Sequence, residues 1–146
     1  MFDINELMET SYKEIESISF ASDIKNISVA ESLVDAICRD NSVHDDHYGN
    51  ILIAVTEAVN NAIQHGNLED VNKEVVVSVK RNSDELCFII KDSGAGFAFD
   101  NLPDPTSPEN IEKESGRGVF LMKSLADKVL FENNGSKVTL IFGNLK

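Results

Sequence analysis

The chain has 146 residues, 42% of them hydrophobic and 26% charged, and a formal net charge of −12. That is the composition of one globular domain with a core of its own, expected to run over 1–146. The negative field, with no run of Lys or Arg to override it, argues against direct nucleic-acid binding and against anionic membrane surfaces, and no stretch approaches the roughly 18 apolar residues of a membrane helix.

In chain order, residues 1–11 read as a short helix or a loose start, acidic and without the basic and apolar regions of a signal peptide. "YKEIESISF" (12–20) reads as an edge strand. Residues 22–40 form a helix with Ser22 or Asp23 as cap and an apolar stripe of Ile24, Ile27, Val34 and Ile37. The polar "NSVHDD" follows, with Asp45 or Asp46 expected to cap the next helix.

That helix, 47–66, is the most periodic segment. At about 100° per residue, Ile51, Val55, Ala58, Val59 and Ala62 gather on one side and Glu57, Asn61, Gln64 and His65 on the other. Gly66 reads as its C-terminal stop. "KEVVVSVKR" (73–81) and "ELCFIIK" (85–91) form an antiparallel hairpin. Residues 98–115 hold all three prolines and no apolar period, the profile of a functional lid. Helical spacing resumes over 116–127, and "KVLFEN" and "SKVTLIF" close the chain as a hairpin around Asn133, Asn134 and Gly135. The order predicts an α/β (α+β) two-layer sandwich, with a mixed, mainly antiparallel sheet and helices on one face. Cys38 and Cys87 fit no metal or redox spacing and read as reduced, buried thiols of a cytoplasmic protein.

Three polar groupings carry chemistry. Glu57 and Asn61 are four apart and so are neighbours on the helix surface. A carboxylate can take a proton, and a carboxamide oxygen is a hard ligand suited to Mg²⁺; the bland reading is a solvated helix face. In "DSGAGF" (92–97), Asp92 leaves a buried strand, and its carboxylate can accept from an exocyclic amine such as adenine's or simply start a turn. Gly94 and Gly96 permit a sharp bend or close approach to the backbone. In "ESGRGVF" (114–120), Gly116 and Gly118 open a helix whose N–H groups suit anions, with Arg117 between them either adding charge or facing solvent. The three histidines make no zinc pattern, and GxSxG and GxxxxGK[ST] are both absent.

In this order, "TEAVNNAIQHG", "DSGAGF", "GRGVFLMKSLAD" and "NGSKVTLIF" resemble the ATP-binding boxes of the GHKL superfamily, over roughly residues 12–142. Within it the chain is most similar to bacterial anti-sigma-factor serine/threonine kinases. The resemblance implies a Bergerat-type ATP-binding fold, with ATP and Mg²⁺ as cofactors. It implies that Glu57 is the general base, that Asn61 binds Mg²⁺, and that Asp92, Gly94 and Gly96 meet adenine. Gly116, Arg117 and Gly118 would lie at the phosphates, with Ser136 near the adenine where many members carry a threonine. Glu114 departs from the pattern, standing where some kinases carry a basic residue.

The implied function is phosphorylation of a serine on a small anti-anti-sigma-type antagonist, together with sequestration of a transcription regulator such as a sigma factor. A homodimer is left open. Two other readings stand beside it: a nucleotide-binding module that sequesters a partner without kinase activity, and a catalytic domain split from a histidine kinase.

Overall fold

The computed structural model describes residues 12–94 and 114–145. Among them, five strands form one sheet: β1 (Lys13–Ala21), β2 (Glu74–Arg81), β3 (Glu85–Lys91), β4 (Lys128–Glu132) and β5 (Lys137–Gly143). Their spatial order is β1-β2-β3-β5-β4. Three helices accompany them: α1 (Ile27–Asp40), α2 (Asp45–Asn61) and α3 (Glu114–Leu125). The readings for residues 1–11 and for most of the lid at 98–115 lie outside the described residues.

Every described pairing is antiparallel, so the sheet expected to be mixed shows no parallel pair among the described residues. The reason is connectivity. β2–β3 and β4–β5 are hairpins, and the chain comes back through α3 so that the second strand of the later hairpin lies beside β3.

The strand period of two sorts the core. Val77 faces Ile90 and Val79 faces Phe88 across β2–β3. Phe88 faces Leu140 and Ile90 faces Val138 across β3–β5. These side chains join Ala30, Val34, Ile51, Val55, Val59 and Met122 of the helices in one buried cluster, which puts the helices on that face. Each fully buried aliphatic or aromatic side chain here is worth about 1.5–3 kcal/mol relative to exposure. Phe88 and Phe142 meet edge to face with centroids 6.0 Å apart. The other face buries a smaller cluster of Cys87, Ile89 and Ile141, with Tyr12 packed on it. This explains why β3 reads as a continuous apolar run rather than an alternating one.

Three local expectations change. The helix expected from 22 begins as a 3-10 turn, Ile24–Asn26, capped by Asp23, which accepts from the Lys25 N–H. The tighter winding takes Ile24 off the buried stripe and leaves it 37% exposed, while Ala30 and Leu33 fill the face instead. The cap of α2 is His44, whose Nδ1 accepts from the Asp46 N–H at 3.1 Å. Asp45 and Asp46 fall in the first turn, where carboxylates complement the helix dipole. The α-helical ladder of α2 ends at Asn61, and Ala62–Gly66 widen into a π-helical turn.

Candidate functional site

The apolar stripe of α2 packs on the sheet, and α3 lies across the helix beside it. Asn61 is therefore only 2% exposed, not solvated as a polar helix face would be. Neither Asn61 Oδ1 nor Nδ2 has a hydrogen-bond partner among the described residues. Such an orphaned buried group costs about 1–3 kcal/mol, so its retention points to a ligand that satisfies it. Glu57, one turn back on the same helix, is half-buried.

Gly118 of α3 closes over both. A Cβ built on it would lie 3.0 Å from Glu57 Oε2, 3.2 Å from Asn61 Nδ2 and 3.4 Å from Asn61 Oδ1. The missing side chain is what lets α3 approach these two groups. Gly116 lies in the first turn of α3, and Arg117 is exposed. Gly96 lies outside the described residues.

The π-helical turn carries the chain from Asn61 to Gly66 and sets Gly66 against Asp92. A Cβ on Gly66 would sit 2.2 Å from Asp92 Oδ2, and one on Gly94 would sit 1.7 Å from the Gly66 carbonyl oxygen. Gly66 thus ends the helix through close packing rather than a left-handed conformation; the positive φ values fall on Leu68 (54°) and Glu69 (57°). Asp92 accepts from the Gly94 N–H at 2.8 Å. Burial pushes its carboxyl above the ordinary range, while the Gly94 hydrogen bond and the Lys73 charge pull it down. The Asp92 N–H donates to the Ser136 carbonyl at 2.9 Å, which places Ser136 beside the turn. The Ser136 hydroxyl donates to the Asn133 carbonyl at 2.9 Å and keeps its acceptor lone pairs.

Glu57, Asn61 and Gly118 therefore meet in one place, and Asp92, Gly94 and Ser136 in a second, joined by the five-residue turn Ala62–Gly66. The His65 Nε2 in that turn is also buried without a partner among the described residues. Sequence reasoning passed over Asn67, which is fully buried and bonded to Ser93. Its only signal was an amide directly after the helix-ending glycine.

The donor set fits a hard cation and an anionic ligand. Asn61 offers one uncommitted oxygen, and no group of three or more His, Cys, Asp or Glu among the described residues could cage a metal. Mg²⁺ is commonly held in this way, by few protein oxygens with phosphates and water completing the shell. A cavity of about 280 Å³ lined by Asn41, Arg81, Asn82, Glu85 and Leu145 sits at the β2–β3 turn, at the other end of β3 from Asp92. It includes none of these groups.

Residues 20–142 match the family model described as "Histidine kinase-like ATPase domain". Among curated proteins, the chain is 35% identical over 95 residues to the serine-protein kinase RsbW of Bacillus subtilis, covering 61% of this chain and 59% of that one. It is 32% identical over 129 residues to the anti-sigma F factor of Geobacillus thermodenitrificans, covering 86% and 87%. It is 29% identical over 117 residues to the serine-protein kinase RsbW of Staphylococcus aureus, covering 75% and 73%. The match spans less than two thirds of the Bacillus RsbW chains, 59% in B. subtilis and 56% in B. cereus. No described helix is long and apolar enough to cross a membrane.

Proposed function

The chain belongs to the family of histidine kinase-like ATPase domains, and from that premise we propose that it is an ATP- and Mg²⁺-dependent serine kinase of the anti-sigma type. Its substrate is a serine hydroxyl on a small antagonist protein, and the same domain sequesters a transcription regulator such as a sigma factor. The two free, buried cysteines suit a reducing cytoplasm. The observation that carries the reading is the buried carboxamide of Asn61, without a hydrogen-bond partner among the described residues, beside Glu57 under Gly118. The names of the relatives supply the substrate class.

In this reading Asp92 accepts from the adenine amino group while Gly94 and Gly96 let the ring approach backbone. The phosphates reach the start of α3, where Gly116, Arg117 and Gly118 lie, and Ser136 flanks the base. Asn61 holds Mg²⁺, whose contribution when bound is to neutralise charge on the phosphates. Glu57 takes the proton from the serine hydroxyl as its oxygen bonds to the γ-phosphorus and ADP leaves.

Titration calorimetry with ATP, with and without Mg²⁺, tests the site, and binding should depend on the ion. Glu57→Ala should lower phosphotransfer by roughly 10²–10⁴-fold and leave ATP affinity nearly intact. Wild-type transfer by that variant would remove Glu57 as the base. ATP binding without transfer to any protein would favour a sequestering module, and an acid-labile product would indicate phosphohistidine in place of phosphoserine.

A further inference from the structure

Asn67 ties together three segments that are distant in sequence. It is fully buried, and its side chain makes three hydrogen bonds to the protein. Its Nδ2 donates to Ser22 Oγ at 2.8 Å and to the Glu74 carbonyl at 3.1 Å. Its Oδ1 accepts from the Ser93 N–H at 2.8 Å. Ser22, itself buried, passes the connection on by donating its hydroxyl to the Lys73 carbonyl at 2.7 Å. One carboxamide thus joins the residue after β1, the start of β2 and the turn after β3.

The backbone around it is shaped to keep it there. The Asn67 N–H donates to the Ala62 carbonyl at 2.8 Å, and the Glu69 N–H donates to the Ile63 carbonyl at 2.7 Å. Leu68 and Glu69 both take positive φ, a conformation that non-glycine residues hold only when their surroundings enforce it. The bond to Ser93 lies between Asp92 and Gly94, and those two are already locked against Gly66.

We propose that Asn67 is a positioning residue for base selection: by fixing Ser93 it sets where the Asp92 carboxylate stands, and so sets the preference for adenine over guanine. This rests on Asp92 being the adenine acceptor. Asn67 does not touch the nucleotide. It acts through the Asp92–Gly94 turn.

The test compares Asn67→Ala, Asn67→Asp, Ser22→Ala and Asp92→Ala in the full chain. Affinities for ATP and for GTP, each with Mg²⁺, are measured, along with amide hydrogen exchange of the ligand-free protein. Asn67→Ala should speed exchange at Ser93 and Gly94 and lower the ATP-to-GTP affinity ratio by about tenfold, the worth of one well-made hydrogen bond. Ser22→Ala loses stability at the same staple but leaves the Ser93 bond, so its ratio should stay at the wild-type value. Asn67→Asp retains the acceptor for Ser93 and should retain the ratio at a lower melting temperature; it carries the test if the alanine variant does not fold.

An Asn67→Ala protein that folds and keeps the wild-type ratio would overturn the inference, as would an Asn67→Asp protein that folds and loses it. A wild type with no adenine preference, or one whose preference survives Asp92→Ala, which removes the side-chain acceptor, would instead overturn the adenine reading of Asp92, and the inference with it.

Discussion

Replacing Asn61 with leucine should make the ligand-free protein more stable, the reverse of the usual effect of a core substitution. Asn61 is 2% exposed, and both its polar side-chain atoms lack partners among the described residues. Removing an unsatisfied buried group recovers about 1–3 kcal/mol. The two methyls of leucine take the places of Oδ1 and Nδ2, close beneath Gly118, where even a single added Cβ would come within 3.2 Å of Nδ2. Tight fit there returns about 1 kcal/mol as strain. The net gain of about 1 kcal/mol corresponds to a rise in Tm of about 3–5 °C for a chain of this size. Nucleotide should reverse the order. At a hundredfold excess over Kd, wild type gains about 2.7 kcal/mol, and a variant without the Mg²⁺ ligand gains far less. Thermal unfolding followed by circular dichroism, with and without ATP and Mg²⁺, reads both effects. An Asn61→Leu protein that melts below wild type in the absence of nucleotide would refute the orphaned carboxamide. Equal stabilisation of both proteins by ATP and Mg²⁺ would refute Asn61 as the metal-binding group.

Gly94→Ala would put a methyl 1.7 Å from a backbone carbonyl oxygen that no rotamer change can move. Urea unfolding should show a loss of about 1–3 kcal/mol or more, with ATP binding lost as the turn shifts; wild-type stability would disprove the close packing of Gly66 on Gly94. Asp92 has a folded pKa raised by burial, so the native state binds this proton more tightly than the unfolded chain. Its contribution to stability is greatest below the unfolded value, about 3.9, and falls as pH rises through the folded value. The difference in Tm between wild type and Asp92→Asn should therefore move against wild type across that window. A difference that stays flat with pH would remove the burial argument.

The sequence by itself determined the elements and their order, because they rest on local periodicity. The stripe Ile51, Val55, Ala58, Val59 and Ala62 is buried as its spacing requires, and the β2–β3 and β4–β5 hairpins follow from short polar links between apolar runs. It also named Glu57, Asn61, Asp92, Gly94 and Gly118 as candidates, through the resemblance of the motifs that hold them to the ATP-binding boxes of the GHKL superfamily. Tertiary structure alone decided what those residues face. By spacing alone Asn61 is either a ligand or part of a solvated face; α3, which starts some 50 residues later in the chain, buries it with no hydrogen-bond partner among the described residues. Gly66 reads as a helix stop, yet it is glycine because Asp92, brought in by β3, leaves no room for a Cβ. Asn67 carries no local signal of its role, and only the convergence of Ser22, Glu74 and Ser93 makes it a staple. Helical and strand period are written within a few residues. Burial and hydrogen-bond satisfaction depend on which distant segments fold against them, and no local pattern encodes that.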